Sequence, residues 1–396
     1  MAPKRNWTAA ALAAFIVGCG ARSDISELLP ADASNIGLVD AARGSDTGTH
    51  SRDASRTAHD AGGGPPDAGT PDVLVGPLPL CGRAPTVLAS AQPDPVALAV
   101  DATHVYWTTQ PSGGVTAGGV LAAPLAGGLP MSLAANQAGP LAIAIDSTTV
   151  YWTNQWGGTV NSEPLAGGTL APLAPNQGQN NPAWIAVDGT SVYWTDFGDD
   201  QVPSGSVLKV PLGGGEPATL ASGQAEPWTL AVDGEAVYWV NLTEADDSAA
   251  TVVKVALGGG SPTTLATGQH LPSAIALDAD SVYFTNAGTM AANFEDGAVL
   301  RVAKSGGGVT TLASATPGAN GVAVDDSSVY WVDNPHDNDG GGVVMKLAKG
   351  GGNPVTLASQ QSTPGSLVID ANCVYWVNAG TSANSDRDGT VMMVAK

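Results

Sequence analysis

The stretch "VYWTD", residues 192–196, opens with four residues suited to a β-strand and ends on an acid. Near copies begin at residues 105 (VYWTT), 150 (VYWTN), 237 (VYWVN), 282 (VYFTN), 329 (VYWVD) and 374 (VYWVN), so successive starts lie 42 to 47 residues apart. All seven tyrosines of the chain fall in these strings. Units of this length built from several short strands mark the blades of a β-propeller. The third unit shows the four strands: "PAWIAVD" (182–188) is strand A, "SVYWTD" (191–196) strand B, "GSVLKVPL" (205–212) strand C and "ATLAS" (218–222) strand D. Apolar runs of four to eight residues bounded by Gly, Pro and Asp are strands. Buried helices are excluded, because Gly and Pro recur about every ten residues and break a helix.

Strand B lies inside its blade with a neighbouring sheet on each face, so both faces can carry bulky side chains. Tyr and Trp bury a large area there and find partners for their polar tips at the edges. An Asp stands four residues before each motif: Asp101, Asp146, Asp188, Asp233, Asp278, Asp325 and Asp370. Asp at the start of a tight turn accepts a hydrogen bond from its own backbone two residues on. We therefore read these seven carboxylates as turn formers and not as a catalytic ring.

The ends of the repeat region define the closure. The last unit stops at strand C, "GTVMMVAK", and the first is preceded by a strand D without a blade, "TVLAS" (86–90). The N-terminal strand is expected to complete the last blade and lock a seven-bladed all-β ring, which removes free sheet edges. Cys373 begins strand B of that blade and Cys81 lies just before the closing strand D. Strands B and D run parallel, so a Cys81–Cys373 disulfide is predicted; two buried thiols are the alternative. The loop it closes spans nearly the whole domain, for which chain entropy gives roughly 5 kcal/mol.

On these strings, residues 86–396 resemble the YWTD propellers of low-density-lipoprotein receptors and their bacterial relatives of unknown function. Tyr193–Asp196 matches the four-letter motif letter for letter. The receptor propellers have six blades and this chain has seven motifs, so the resemblance implies a propeller fold and carries over no ligand site.

The first eighty residues are of a different kind. Lys4 and Arg5 precede an apolar run of eleven residues, 8–18, too short for a membrane-spanning helix of about 20 residues. A basic start followed by a short apolar core is a secretory signal. Its "IVGC" ending (16–19) resembles the bacterial lipoprotein signal, which implies that Cys19 is lipidated and becomes the first mature residue. Gly20 after it, where an Asp would retain the protein at the inner membrane, implies outer-membrane sorting. An ordinary signal peptide with an incidental Cys is the alternative. Residues 19–80, rich in Ala, Gly, Ser, Asp and Pro, have no sustained apolar period and are expected to form a disordered tether. Some 60 flexible residues would span roughly 45 Å. The organisation is thus signal (1–18), tether (19–80) and propeller (81–396).

A formal net charge of −21 argues against nucleic acid as a partner. It serves solubility, with attraction of basic partners as the second reading. No CxxC, HExxH, GxSxG or phosphate-loop pattern occurs, and His104, His270 and His336 sit in different units without metal-ligand spacing. Function is therefore sought in an asymmetry of the loops. The C–D turns are short and alike ("LGGGEP", "LGGGSP", "KGGGNP"), whereas the B–C loops on the opposite face are long and varied ("FGDDQVPS", "LTEADDSA", "AGTMAANFED", "NPHDNDGG", "AGTSANSDRD"). Phe294 lies there too, and Trp156, Trp184, Phe197 and Trp228, from units two to four, are the candidate ligand-binding residues. Adjacent aromatics among amides and acids suit a sugar ring or a peptide side chain, and local loop packing is the bland alternative. "NSDRDG" (384–389) resembles the start of a calcium loop through Asn384, Asp386 and Asp388, but Ala395 stands where that loop needs a bidentate Glu. A plain turn is the competing reading. The expectation is a non-enzymatic outer-membrane lipoprotein, with the membrane engaged by its lipid anchor. Its propeller would bind a glycan, peptide or protein, and calcium is the only cofactor considered. A metal-dependent lyase or lactonase and an envelope assembly component are the alternatives.

Overall fold

The computed structural model describes residues 81–110, 118–174, 181–198, 204–243, 249–335, 340–381 and 388–396. The signal and tether, with Cys19, lie outside the described residues. Twenty-eight strands form seven four-stranded antiparallel sheets. Strand A of each blade lies beside strand A of the next, and that of the seventh beside that of the first, so the sheets close into a ring. Blades 1 to 7 carry the motifs in chain order. The third follows the expected pattern, with strands Pro182–Val187, Ser191–Asp196, Gly205–Pro211 and Ala218–Gln224. Strand D of blade 2 shrinks to Ala171–Pro172. Among the described residues a single 3-10 turn, Met290–Ala292, is the only helical element.

The core is seven clusters, one at each seam between blades, of which the cluster between blades 4 and 5 extends to Val96, Leu141 and Ala183 in strand A of blades 1 to 3. Each is built on the Tyr of one blade and the aromatic of the next: Tyr106 with Trp152, Tyr151 with Trp194, and Tyr193 with Trp239. Tyr238 with Phe284, Tyr283 with Trp331, Tyr330 with Trp376 and Tyr375 with Trp107 complete the ring. The reason is the two-residue period of a strand, which sends consecutive side chains to opposite faces. The pair "YW" therefore gives each blade one aromatic for the seam ahead and one for the seam behind. Each of the seven Trp or Phe rings is fully buried.

Their polar tips are satisfied at the two ends of the blade. The Asp after strand A uses one oxygen to accept the backbone N–H groups two and three residues on, and the other to accept the Tyr hydroxyl of its own blade, as in Asp101 with Thr103, His104 and Tyr106. Burial alone would raise the Asp101 carboxyl, but these hydrogen bonds outweigh it and hold the group below its ordinary value. Burial and the neighbouring carboxylate push the Tyr151 phenol up to about 12. At the other end the Trp indoles reach a Gln that ends strand D of the preceding blade: Trp107 to Gln92, Trp152 to Gln137 and Trp376 to Gln361.

The second half of the ring adds charge. Lys304, Lys349 and Lys396, each just after a strand C, bond Asp233, Asp278 and Asp325 of the preceding blade at 2.7, 2.6 and 2.9 Å. The first four blades have Leu125, Leu165, Leu212 and Leu257 at this position.

Strand Thr86–Gln92 pairs antiparallel with Gly389–Ala395 and completes blade 7 as its outermost strand. Cys81 and Cys373 form a disulfide across 292 residues of sequence, with Cα atoms 6.0 Å apart, both sulfurs buried. Cys373→Ser is expected to lower the urea-unfolding free energy by about 2–5 kcal/mol. Treating the wild-type chain with reductant should reproduce that loss and leave the variant unmoved; an equal effect of reductant on both would sink the assignment of the clamp.

Candidate functional site

Strand A of every blade lines the central channel, and a bulge after its first residue (in blade 6 after its second, Asn320) shapes that wall. In blades 1 to 3 the Thr of the YWT motif fills the gap. Thr108, Thr153 and Thr195 accept the N–H of Ala97, Ala142 and Trp184, and donate to the carbonyls of Leu141, Ala183 and Trp228 in the next blade. In blades 4, 6 and 7 the motif reads YWV, and no such hydroxyl exists at Val240, Val332 and Val377. In these same blades polar side chains enter strand A: Thr229, Asn320 and Ser366. Asn320 Oδ1 accepts the N–H of Gly321, replacing locally what the Thr supplied elsewhere. In blade 5, Ser273 bonds both Thr285 and the Ala319 carbonyl of blade 6. The sequence reading passed over these channel residues. Their signal is the exchange of Thr for Val in strand B with a polar residue in strand A of the same blade, a pairing written in the chain itself.

The channel encloses a cavity of about 360 Å³ whose lining includes Trp184, Thr229, Ser273, Asn320 and Ser366, with apolar residues elsewhere and no charged side chain among the described residues. The polar residues sit near the start of strand A, on the side of the B–C loops. Leu277, Val324 and Ile369, at the other end of that strand, make the far part of the cavity apolar.

Of the four aromatics singled out in the sequence, three come together and one stands apart. Trp184 and Trp228 have ring centroids 6.3 Å apart, and Phe197 meets Trp228 edge-on at 6.0 Å. Phe197 and Trp228 are 4% and 1% exposed, so they form a packed wall between blades 3 and 4 and offer no face to solvent. The Trp228 indole nitrogen has no hydrogen-bond partner, so packing area outweighed its polar tip. Phe294 is buried too. Trp184 is half-buried at the channel wall. Trp156, on the B–C turn of blade 2, is 48% exposed. It rests on Gly139, whose φ is +67° and where a Cβ would fall 2.6 Å from the indole. Only glycine at 139 lets that ring lie against the backbone.

Of the described acids of the B–C loops, Asp296 and Asp388 are used locally and Glu295 stays exposed. Asp388 takes the N–H of Thr381 on one oxygen and its hydroxyl on the other, and Asp296 holds Thr289 in the same way. Both loops read "NAGT" seven residues before a "DG", a duplicated clamp that strand periodicity does not reveal. Asn384 and Asp386 lie outside the described residues. Among the described residues no three His, Cys, Asp or Glu side chains gather as a metal site requires. The described Lys and Arg side chains of strands C and beyond belong to the other half of the blades. Lys209 and Lys254 bond carbonyls of the next blade, and Lys346 lies over the Tyr330 ring.

Blade 6 departs from its siblings at one buried point. At four B-strand ends an Asn (154, 241, 286 and 378) donates to a Gln 17 residues earlier. In blade 6 the pair is Asp333 and Thr316. Asp333 is 7% exposed and accepts the Trp331 indole at 2.8 Å; the Thr316 hydroxyl, also buried, has no partner. Burial pushes the Asp333 carboxyl up to about 7, against the pull of the indole hydrogen bond.

No family model matches the chain, and no curated protein matches it. Solved structures do. A streptogramin B lyase is 12% identical with a TM-score of 0.58, the match covering 78% of this chain and 96% of that one. A Mycobacterium tuberculosis puromycin-hydrolyzing peptidase is 15% identical with a TM-score of 0.53, over 78% of this chain and 54% of that one. A chain of a nidogen/laminin complex, 15% identical over 65% of this chain and 88% of its own, scores 0.44, too loose a match to argue from. At such identities the likeness shows the fold alone: this is a seven-bladed β-propeller.

Because its folded value lies above the ordinary 3.8, Asp333 favours the fold fully at pH below that value and loses the benefit as pH rises to about 7. Asp333→Asn should therefore leave stability nearly unchanged at about pH 4 and raise it at about pH 8, by up to roughly 4 kcal/mol. Urea melts at the two pH values decide it: an equal effect at both would exclude a buried carboxylate as the cause.

Proposed function

We propose that this chain is a bacterial outer-membrane lipoprotein, anchored through Cys19, whose propeller binds a glycan, peptide or protein partner through the face of the B–C loops. The observation that carries the binding is Trp156. It is the most exposed aromatic among the described residues, and Gly139 lies against its ring. A pinned indole with one face in solvent offers apolar area at little entropic cost, which suits a sugar ring, an aliphatic side chain or a cation. The Thr–Asp clamps of blades 5 and 7 support the same reading, since each ties the two ends of a long loop together. We further read the repeats as YWTD-type, on their own strings. A metal-dependent enzyme would need acids gathered at the channel; the described loop acids Asp296 and Asp388 instead close their own loops.

Two measurements test the two halves. Cells fed an alkyne-tagged fatty acid should label the wild-type protein, and Cys19→Ser should abolish the label and release the protein to the soluble fraction; labelling that persists removes the anchor. Against envelope glycans and peptides, Trp156→Ala should weaken binding by about tenfold or more without altering the far-ultraviolet circular dichroism. Unchanged affinity would move the binding surface away from the B–C turn of blade 2.

A further inference from the structure

The central channel is the strongest feature that the loop face does not explain. Among the described residues its lining carries no charged side chain. A charged guest would lose its hydration with no opposite charge to meet it, a cost of several kcal/mol, so the chemistry selects a neutral one. Trp184 is out of pattern here. At its position in strand A the other blades have Ala97, Ala142, Thr229, Ala274, Gly321 and Ser366. A single large ring thus stands where the other blades have small residues; it packs towards the seams on both sides of its blade and stays half-buried at the cavity. In a ring of seven, blade 3 lies opposite blades 6 and 7, so Trp184 lines one side of the cavity and Asn320 and Ser366 the other. The wall of blades 1 and 2 between them is apolar, through Val96, Ala97 and Ile143.

A flat aromatic wall opposite hydroxyl and amide groups is complementary to a ring with an apolar face and a polar edge. The cavity, at about 360 Å³, lies at the small end of the range for small-molecule sites, about 300–1,000 Å³. The polar groups are hydroxyls and one amide, which both donate and accept, as sugar hydroxyls do. We propose that the channel is a binding site for a neutral pyranose, which stacks on Trp184 and turns its hydroxyl edge to Asn320 and Ser366. This site is distinct from the Trp156 surface and does not depend on it.

The test titrates the full chain with neutral methyl pyranosides, followed by tryptophan fluorescence and by saturation-transfer nuclear magnetic resonance. Expected are millimolar dissociation constants, with the matching uronic acids bound at least about tenfold more weakly. Trp184→Ala should weaken binding by about tenfold or more, and Ser366→Ala by roughly threefold, the latter without touching the packed wall. Ser366→Phe should fill the cavity and block binding. Trp156→Ala should change nothing, which separates this site from the loop face. Equal binding of uronic acids, preference for a nucleobase such as adenine, loss of the signal in Trp156→Ala, or no saturation up to about 100 mM would each overturn the proposal.

Discussion

The whole molecule hangs on the contact between the tyrosine of one blade and the tryptophan or phenylalanine of the next. A four-stranded sheet has two faces to cover, and a ring of such sheets covers each with a neighbour. Two adjacent aromatics in strand B meet that demand with two letters of sequence, since neighbouring residues in a strand point to opposite faces. Every seam is thus filled by the same kind of pair, and the seven seams close the ring. Truncating such a buried ring costs about 3–5 kcal/mol. The polar tips add direction: the Tyr hydroxyl binds the Asp of its own blade, while in blades 1, 2 and 7 the indole reaches back to the Gln of the blade before. One motif therefore fixes both the turn within a blade and the register between blades.

A scaffold with this redundancy tolerates variation elsewhere, and the variation is not spread evenly. Blades 1 to 3 keep Thr in strand B and an unbroken bridge to the next blade. Blades 4, 6 and 7 replace it with Val and bring a polar group into the channel. Blades 5 to 7 also place the lysines that bond the preceding blade's Asp. These pairs are partly exposed and each adds little stability, but they set the side of the ring on which the positive charge is used. The long-loop end keeps its acids, and the buried carboxyl of Asp333 marks one of the three seams without the Gln–Asn lock.

Closure raises a separate constraint. The last blade joins residues from both ends of the domain, so its sheet can form only when the ring is nearly complete. The loop that must close is long, and its entropic cost falls on a single pairing, Thr86–Gln92 against Gly389–Ala395. The disulfide sits beside that pairing, at the start of strand B and just before the closing strand, where a covalent link restrains the unfolded chain most.

The sequence by itself determined the repeat, the number of blades, the four strands of each, the strand that closes the ring and the cysteine pair that clamps it. These follow from periodicity and from residue types whose local preferences agree with the fold. The turn role of Asp101 and its six counterparts was legible for the same reason, because an Asp at a turn acts on its own backbone. Which aromatics stay exposed was decided only in three dimensions. Trp156 and Trp228 look equivalent as letters, yet one rests on a glycine at the surface and the other packs between Trp184 and Phe197. The same holds for Asp333, whose raised pKa comes from burial at one seam, and for Trp184, which faces Asn320 and Ser366 only because seven blades place the third opposite the sixth and seventh. Period and propensity act along the chain, whereas exposure and convergence depend on which segments the ring brings together.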